Sequence, residues 1–443
     1  GLLARRGAAV SAILLGDRAH AGGLAALRTA GGRVADPAVL GGADLVIDGI
    51  TGIGGSGGLR DAAVAAVAQI SSSAIVVAVD VPSGVDADTG EVAGAAVRAA
   101  ATVTFGTWKP GLLVDPGASY AGAVECVDIG LSRFLPNGLV SALQSIDVGA
   151  LLPVPDAESD KYRRGVLGIV AGSRTYTGAA VLATGGALRT GVGMVRFASV
   201  AHPAELVRAR WPEAVATVLP DDGAGVLDVG RVQAWVVGPG IGTDDVAESL
   251  VEQVLSADVP VVVDADGLTI LGRNRELLQA RTSPTLVTPH AGELARLLGL
   301  EDSTRSDIEA RRLHYASTAA AELGVTVLLK GSTTVVCTPD GAARVNPTGT
   351  AWLATAGSGD VLSGITGALS AAGLAPFDAA SCASYLHGAA ARLAATRERG
   401  DASIGEASII AADLFDALPS AIAGVLAAGF SSSDLVGLGR NRG

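Results

Sequence analysis

The stretch Asn346–Gly364 reads NPTGTAWLATAGSGDVLSG, and the chain is organised around it. Small residues lead directly into the apolar pattern of a helix, with Asp360 at the junction. The first amides of a helix lack intrahelical acceptors and lie at the positive end of the helix dipole, so they readily bind anionic oxygens. The pattern predicts an anion hole formed by the backbone N–H groups of Ala356, Gly357, Ser358 and Gly359.

Asp360 has two interpretations at this stage. A carboxylate beside an anion site could act as a general base, which suits phosphoryl transfer to a hydroxyl group. Serine and aspartate are also good helix N-caps, so Ser358 or Asp360 could simply begin a helix. The stretch alone leaves both alternatives open.

Length and composition narrow the class of protein. The chain has 443 residues, more than one ordinary hydrophobic core needs, which predicts two domains. Hydrophobic residues make up 49% and aromatic residues 3%, and 60 glycines accompany them, as in parallel strands that alternate with small-residue helices. A net charge of −12 argues against non-specific nucleic-acid binding.

The cysteines and the lengths of the apolar runs indicate the cellular compartment of the protein. Cys126, Cys337 and Cys382 show neither metal-site nor disulfide spacing, which fits a reducing cytoplasm. The sequence has no uninterrupted run of about 18 apolar residues. We therefore expect a cytoplasmic protein with no membrane or nucleic-acid partner.

Residues 1–140 predict a parallel, doubly wound sheet, because strand-like runs alternate with alanine-rich helical stretches. Ligands of such sheets bind at the carboxyl ends of the strands. After Asp48 comes a glycine-rich loop able to surround phosphates, although an ordinary loop is an equally good explanation. After Asp80 comes Ser83, and this pair could hold a hydroxylated ligand or a monovalent cation. The predicted strands are Val10–Leu15, Leu45–Asp48, Ile75–Val79, Ala101–Phe105 and Ala123–Val127.

These loops carry a family resemblance. The sequence DGITGIGGSGGL, followed by AVDVPSGVDADTG and TFGTWKPGLL, resembles the N-terminal, Rossmann-like epimerase domain of the bifunctional NAD(P)H-hydrate repair enzymes. The resemblance implies interconversion of R- and S-NAD(P)H hydrate, with K⁺ bound at Asp48 and Ser83. It also implies substrate contacts at Asp80, Gly52, Ile53, Gly54, Gly55, Ser56, Gly57 and Gly58.

The start of the chain bears on this epimerase activity. The chain begins with Gly1, its single methionine is Met194, and its first residues are already typical of a helix end followed by a strand. The family's Asn-Asn-Gly-Gly-Asp phosphate loop lies upstream of the part that corresponds to Gly1. We therefore expect the natural N-terminus to be missing, the first domain to be incomplete and epimerisation to be weak. An epimerisation rate well above the spontaneous one would contradict this expectation.

Residues 150–427 predict one open α/β sheet with a ligand crevice along its rim, because several β-branched runs each end in a small or polar loop. Residues 131–160 carry prolines and polar residues and are typical of a linker. Residues 428–443 are rich in Gly and Ser and predict a disordered tail. The strand-like runs are Val166–Val170, Trp235–Val237, Val261–Val263, Leu286–Val287 and Val325–Leu329.

Single residues in these loops also have ordinary structural explanations. His290 could cap the helix that follows it, with Glu293 completing the arrangement. Asp264 could belong to a turn, and Lys330 could face solvent. His387 lies in an alanine-rich helical pattern and is typical of a core or interface histidine. The sequence shows neither a zinc cluster nor the nucleophile elbow of a serine hydrolase.

Taken together, the loops resemble a second known domain. GSRTYTGAA, GPGIG, DADGL, TPHAGE, KGSTT and NPTG…ATAGSGDVLSG occur in this order, as in the ADP- or ATP-dependent NAD(P)H-hydrate dehydratases, which have a ribokinase-like α/β fold. The resemblance implies ADP or ATP as co-substrate, together with Mg²⁺. It implies contacts to the hydrated nucleotide at Ala179, Gly242, His290 and Asp360. It implies contacts to the adenine nucleotide at Lys330, Gly331, Ser332, Thr333, Thr334 and Gly359.

The implied function is metabolite repair, in which (S)-NAD(P)H hydrate is dehydrated to NAD(P)H with release of AMP and phosphate. Asp360 would take the proton of the substrate hydroxyl, and the terminal phosphoryl group would transfer to that oxygen. Two alternatives remain, a ribokinase-like small-molecule kinase and a non-catalytic nucleotide sensor. The alanine-rich helices also predict a homo-oligomer.

Overall fold

The chain folds into two compact units, Gly1–Asn137 and Gly138–Gly443. A computed structural model describes residues 2–16, 19–55, 57–135, 138–399 and 402–429. The α/β class expected from the sequence is confirmed in both units. The second unit begins at Gly138, so part of the segment that we interpreted as a linker contributes a strand and a helix to it.

Parallel strands form the first unit. Four strands pair in the order β3-β4-β5-β6, and β1 pairs separately with β2. The predicted bounds of β3 to β6 are confirmed, whereas the first predicted strand shortens to two residues. The strands are β1 (Ser11–Ala12), β2 (Arg33–Val34), β3 (Leu45–Asp48), β4 (Ile75–Val79), β5 (Ala101–Phe105) and β6 (Ala123–Val127). The helices are α1 (Leu2–Arg5), α2 (Ala21–Thr29), α3 (Asp61–Val67) and α4 (Ala118–Ala121).

A ten-stranded sheet is the centre of the second unit, in the order β10-β9-β8-β11-β12-β13-β14-β15-β16-β7 within the described residues. Strands from β10 to β14 along this order are parallel, and β15 is antiparallel to both of its neighbours. The strands are β7 (Val140–Ser141), β8 (Val166–Val170), β9 (Met194–Ser199), β10 (Val215–Val218), β11 (Ala234–Val237), β12 (Val261–Val263), β13 (Thr285–Val287), β14 (Thr326–Leu329), β15 (Thr334–Cys337) and β16 (Ala343–Asn346), with a separate pair β17 (Thr396–Arg399) and β18 (Ala402–Glu406).

Helices cover this sheet, and α14 packs against the central strands. Its buried residues belong to one large core together with residues of β8, β11 and α6. The helices are α5 (Ser145–Leu151), α6 (Thr177–Thr190), α7 (Ala201–Arg210), α8 (Asp245–Ser256), α9 (Asp266–Arg273), α10 (Glu276–Gln279), α11 (Ala291–Leu298), α12 (Arg305–Ala310), α13 (Arg312–Leu323), α14 (Ser358–Ala371), α15 (Pro376–Ala395) and α16 (Leu414–Gly429).

Two glycines let α14 lie directly on α6. A Cβ built on Gly364 would be 2.0 Å from the carbonyl oxygen of Ala183, and one built on Gly186 would be 2.4 Å from that of Val361. Both distances are far below van der Waals contact, so neither position has room for a side chain. This close contact fixes the axis of α14 and therefore the place where its N-terminus meets the sheet.

One described segment, Ala411–Gly429, is long and apolar enough to cross a membrane by length and composition, with a mean hydropathy of 1.4. Leu414, Phe415 and Leu418 are nevertheless buried in the core of the second unit. The Phe415 ring packs edge-on against Trp211 with 5.2 Å between centroids. One face of the segment therefore packs into the core of the second unit. Helix α16 also extends into the predicted tail as far as Gly429, and residues 430–443 lie outside the described residues.

The Gly364→Ala substitution tests the glycine contact. We expect a loss of about 1–3 kcal/mol in the free energy of unfolding, because the added methyl group must separate α14 from α6. Urea unfolding measures the change. Gly424→Ala on α16 is the matched control, since a Cβ there meets nothing within 4 Å and alanine favours a helix over glycine. Equal stability of Gly364→Ala and wild type would show that the helices do not need this contact.

Candidate active site

The N-terminus of α14 is open for a ligand. Gly357 precedes the helix with a φ of 85°, a left-handed conformation that glycine adopts without strain. The Ser358 hydroxyl donates to the carbonyl oxygen of Leu353 at 2.8 Å, so it faces back into the loop. Of the predicted anion-hole amides, that of Ser358 donates to Thr355 O at 3.4 Å, whereas in the first turn of α14 the amides of Gly359 and Asp360 have no acceptor among the described residues. These two N–H groups can therefore donate to an anionic ligand, as the positive end of a helix allows.

Lys330 supplies a cation to the same place. Its backbone N–H donates to Pro289 O at 2.8 Å, which ties the end of β14 to the TPHAGE loop. Its Nζ lies 2.6 Å from Asp264 Oδ1, 3.8 Å from Glu293 Oε2 and 3.5 Å from where a Cβ on Gly359 would be. Burial opposes the charged form, but the two carboxylates outweigh it and raise the pKa of Lys330 above its ordinary value. The side chain is therefore a fixed ammonium group beside the anion site.

The pKa of Asp360 is raised far above that of an ordinary aspartate. Burial first, and then the carboxylates of Asp264, Asp266 and Glu293, raise the pKa of Asp360 to about 7, against the opposing charge of Lys330. A base with a pKa near the operating pH combines the deprotonated form with useful basicity. Perturbed carboxylates of this kind cluster at active sites.

His290 and Glu293 form the capping arrangement that the sequence analysis left open. His290 Nδ1 accepts from the amides of Gly292 at 3.0 Å and Glu293 at 3.3 Å, and Glu293 Oε2 accepts from the His290 amide at 2.8 Å. Burial, helped by Lys330 and by Arg296, lowers the pKa of His290 to about 4. Half of the His290 side chain remains exposed. The neutral ring can therefore cap α11 and still face a ligand with its other edge.

The ends of β8, β11 and β12 converge beside this cluster. Ala179 lies in the first turn of α6, and its Cβ would be 2.9 Å from a Cβ built on Gly240. The Gly242 amide donates to Asp266 Oδ2 at 2.9 Å, so the GPGIG loop is held against the start of α9. Asp266 also acts on the pKa of Asp360. The predicted substrate residues Ala179 and Gly242 are thus brought to the same rim as Asp360.

The KGSTT loop begins against a buried arginine. A Cβ on Gly331 would be 2.0 Å from Arg312 Nη1, so a side chain at this position would have to displace the end of the Arg312 side chain. Gly331 and Ser332 are exposed, Thr333 is buried and Thr334 begins β15. The loop therefore presents backbone rather than large side chains to a ligand.

In the first unit, Asp48 and Ser83 bind each other. Asp48 Oδ1 accepts from the Ser83 hydroxyl at 2.7 Å, and Oδ2 accepts from its amide at 2.8 Å. The Ser83 oxygen in turn accepts from the Thr51 amide at 2.9 Å. The two predicted cation ligands are thus adjacent, and they hold the start of the glycine-rich loop.

Asp80 forms a second polar cluster near that loop. Its backbone has a φ of 74°, which is uncommon for any residue except glycine and is often found at functional sites. Lys109 Nζ donates to Asp80 Oδ1 and to Thr104 Oγ1, each at 2.7 Å, and the Ile53 amide donates to Asp80 Oδ2 at 3.3 Å. Burial opposes ionisation, but Lys109 outweighs it and lowers the pKa of Asp80. The predicted loop residue Ser56 lies outside the described residues.

Sequence reasoning missed part of the site in the second unit. Ser363 lies one turn along α14 from Gly359, and its hydroxyl donates to Asp264 Oδ2 at 2.5 Å. A turn was one interpretation of Asp264, and its carbonyl oxygen does accept from the Gly267 amide at 3.0 Å, but its side chain is also buried between Lys330 and Ser363. The position of Asp264 directly after a β-branched run was the available signal. His387 is buried in α15, as the pattern predicted, and burial lowers its pKa to about 4.

Comparison with known proteins agrees with both halves of the chain. The NAD(P)H-hydrate dehydratase family matches residues 167–410, and the family described as YjeF-related protein N-terminus matches residues 2–111. The bifunctional NAD(P)H-hydrate repair enzyme of Mycobacterium leprae is 48% identical over 396 residues, covering 89% of this chain and 79% of the relative. That of Mycobacterium tuberculosis is 49% identical over 382 residues, covering 86% and 76%.

Solved structures resemble the second unit. The ADP/ATP-dependent NAD(P)H-hydrate dehydratase of Bacillus subtilis, co-crystallised with ATP/Mg²⁺, is 32% identical with a TM-score of 0.56, covering 65% of this chain and 99% of its own. A ribokinase-like superfamily protein of Enterococcus faecalis, 24% identical with a TM-score of 0.55, shares the fold and covers 66% of this chain and 98% of its own. Fold and site thus define a ribokinase-like α/β enzyme of the nucleotide-dependent class. The chain belongs to the family of bifunctional NAD(P)H-hydrate repair enzymes.

The Lys109→Met substitution tests the cluster of the first unit. Removing the ammonium leaves the largely buried carboxylate of Asp80 without its ion-pair partner. We therefore expect the free energy of unfolding of the first unit to fall by about 3 kcal/mol at pH 7. The pKa of Asp80 is depressed in the folded state. This stabilisation is therefore present above the ordinary aspartate pKa of about 3.9 and is lost as the pH falls through the folded-state value. The difference in stability between wild type and variant should narrow below about pH 4.

Hydrogen–deuterium exchange of the peptide that spans β4 and β5 measures this stability. Arg174→Met is the control, because it breaks an ion pair with Asp221 whose side chains are 79% and 85% exposed and contribute at most about 1 kcal/mol. If the difference in stability between Lys109→Met and wild type stays constant from pH 7 to pH 3, the Asp80 charge does not have this role.

Proposed function

We propose that the second unit dehydrates (S)-NAD(P)H hydrate to NAD(P)H and consumes ADP or ATP in doing so. The observation that carries this proposal is the place of Asp360, a partly buried carboxylate at the open N-terminus of α14, where burial and neighbouring carboxylates raise its pKa to about 7. Lys330 lies beside the same helix end. A base, a fixed cation and free amides together suit transfer of a phosphoryl group to a hydroxyl. The named activity of the Bacillus subtilis and mycobacterial relatives supports this assignment.

Phosphoryl transfer converts the substrate hydroxyl into a phosphate group, which leaves more easily than hydroxide. Asp360 takes the proton of the substrate hydroxyl, the freed oxygen bonds to the terminal phosphorus, and the bond from that phosphorus to the remaining nucleotide breaks. The ring nitrogen lone pair then expels phosphate by breaking the ring C–O bond, and loss of a proton from the neighbouring ring carbon restores the double bond of NAD(P)H. With ADP the products are AMP and phosphate; with ATP they are ADP and phosphate. The amides of Gly359 and Asp360 hold the transferring group, and Lys330 balances its charge.

A magnesium ion fits this site as a companion of the nucleotide. Among the described residues there is no group of three or more His, Cys, Asp and Glu side chains that could hold a metal. Mg²⁺ commonly keeps its waters and binds through substrate phosphates, which needs no such group. It would neutralise charge on the transferring phosphoryl group. The exposed backbone of Gly331 and Ser332 carries no large side chain that would block a metal–phosphate ligand.

For the first unit, we infer that it epimerises NAD(P)H hydrate, as its resemblance to the epimerase domain of the bifunctional repair enzymes implies. Asp80 and the Gly52–Gly58 loop would contact the substrate. The adjacent oxygens of Asp48 and Ser83 offer K⁺ a carboxylate and a hydroxyl. The weak epimerisation expected from the sequence stays a prediction, as do the cytoplasmic location and the homo-oligomer.

The two alternative functions differ from the dehydratase in what the protein releases. A small-molecule kinase would release a stable phosphate ester, whereas a dehydratase releases free phosphate. A nucleotide sensor would bind ADP without any turnover. The near-neutral pKa of Asp360 favours both enzymes over the sensor, because a binding site needs no titrating base.

The Asp360→Asn substitution tests the base. We expect turnover to fall by about 10²–10⁴-fold, the usual span for loss of general acid–base catalysis. Nucleotide binding should persist, because the helix amides and Lys330 remain. Single-turnover phosphate release and nucleotide titration measure the two effects. An Asp360→Asn enzyme with wild-type turnover would rule out this role.

Recovery of the 340-nm absorbance of NADH from chemically prepared NADH hydrate tests the activity itself. The reaction is run with Mg²⁺ and with ADP, ATP or neither. We expect recovery only with a nucleotide, with one phosphate released for each NADH formed, and the active nucleotide identifies the phosphoryl donor. Protein that binds ADP but restores no absorbance with either nucleotide would contradict the dehydratase. A phosphorylated product in that case would establish the kinase.

A further inference from the structure

We propose that Asp264 is a positioning residue for the dehydration reaction, which fixes the Lys330 ammonium beneath the N-terminus of α14 and places a second negative charge against Asp360. The inference rests on the proposed function of this site. Asp264 is buried, so it acts on the reaction through Lys330 and Asp360 rather than by touching a nucleotide.

Three elements meet at the Asp264 carboxylate. It follows β12 directly and is 1% exposed. Its Oδ1 accepts from Lys330 Nζ at the end of β14, and its Oδ2 accepts from Ser363 Oγ on α14, at 2.6 and 2.5 Å. Ser363 is fully buried and lies one turn from Gly359. Both carboxylate oxygens are therefore engaged, and the carboxylate holds the cation and the helix in one register.

The backbone around Asp264 is held as firmly as its side chain. Its amide donates to Val237 O at 3.1 Å, and its carbonyl oxygen accepts from Gly267 at 3.0 Å. A Cβ on Gly238 would be 1.9 Å from that carbonyl oxygen, so the neighbouring strand end must be glycine to pass it. The carboxylate therefore has little freedom to move away from Lys330 when the site is empty.

Stability alone does not account for this arrangement. The Lys330 and Asp264 side chains are 19% and 1% exposed, and the desolvation penalty of such a pair can equal or exceed its Coulombic gain. Apolar residues of similar volume often replace a buried ion pair without loss of stability. A buried pair directly under an anion site is explained better by what it does for the reacting groups.

Removing the charge of Asp264 or of Lys330 changes the pKa of Asp360 in a direction that can be stated in advance. The charged groups that act on this carboxylate are Asp264 and Asp266 after β12, Glu293 on α11 and Lys330 after β14. The three carboxylates disfavour ionisation of Asp360, and the ammonium favours it. Neutralising Asp264 therefore lowers the pKa of Asp360, whereas neutralising Lys330 raises it. A base must be deprotonated to act, so activity is lost as the pH falls through that pKa.

The Asp264→Asn substitution tests the inference. Asparagine keeps the shape, its amide oxygen can still accept from Lys330, and its NH₂ group can donate to Ser363. We expect the acidic limb of the profile of kcat/KM against pH to move down by about 1 pH unit. Lys330→Met should move the same limb up. Opposite shifts in two variants of one ion pair would not arise from general loosening of the fold.

Two controls separate charge from structure. Ser363→Ala removes a hydrogen bond to Asp264 but no charge, so the limb should stay in place even if kcat falls. Asp378→Asn breaks another largely buried ion pair of this unit, in which Asp378 Oδ1 lies 2.6 Å from Arg344 Nη1, and it should leave the limb unmoved. Reduced stability with an unshifted limb in Asp264→Asn would overturn the inference and leave Asp264 a structural residue.

Measurements on the wild-type protein separate a failure of the proposed function from a failure of this inference. If wild type restores no NADH with any nucleotide, the dehydratase assignment fails. Nucleotide titration against pH then still tests the positioning role, because Lys330 and Asp360 border the same anion site. In wild type, affinity should change as the pH passes about 7, where Asp360 gains its charge. The change should occur at lower pH in Asp264→Asn, and an identical midpoint in both proteins would overturn the inference.

Discussion

The buried contact between Lys330 and Asp264 is the interaction on which the site in the second unit depends. It joins the ends of β12 and β14 beneath the N-terminus of α14. The helix can reach this place only because Gly364 and Gly186 remove the side chains that would separate α14 from α6. Packing in the core of the unit thus sets the distance between a cation, a base and free helix amides.

The same arrangement explains how an acidic chain can hold polyanions. The net charge is −12, so long-range attraction cannot bring a nucleotide to the site. Positive potential is instead local, supplied by backbone amides and by one ammonium group whose charge the surrounding carboxylates stabilise. Burial and those carboxylates also raise the pKa of Asp360 to about 7, so the proposed nucleotide binding and proton transfer would rely on one set of charges.

Much of the fold could be predicted because short local runs of residues indicate its strands and helices. β8 and β12 are β-branched runs between small or polar residues, and their predicted bounds are confirmed. β9 and β10 mix polar and apolar residues, and the β15–β16 hairpin follows a polar loop, so periodicity did not reveal them. The His290 cap spans four residues and was visible as an alternative. The contact between Asp264 and Ser363 joins residues 99 positions apart, which only the folded chain brings together.

In the proposed reaction the substrate hydroxyl leaves as part of a phosphate, after Asp360 has taken its proton. NADH hydrate labelled with ¹⁸O in that hydroxyl tests the claim most directly, with mass spectrometry of the phosphate released during NADH formation. We expect one ¹⁸O atom in each phosphate. Unlabelled phosphate, with the ¹⁸O found in water, would show that the hydroxyl leaves without phosphorylation and would contradict it.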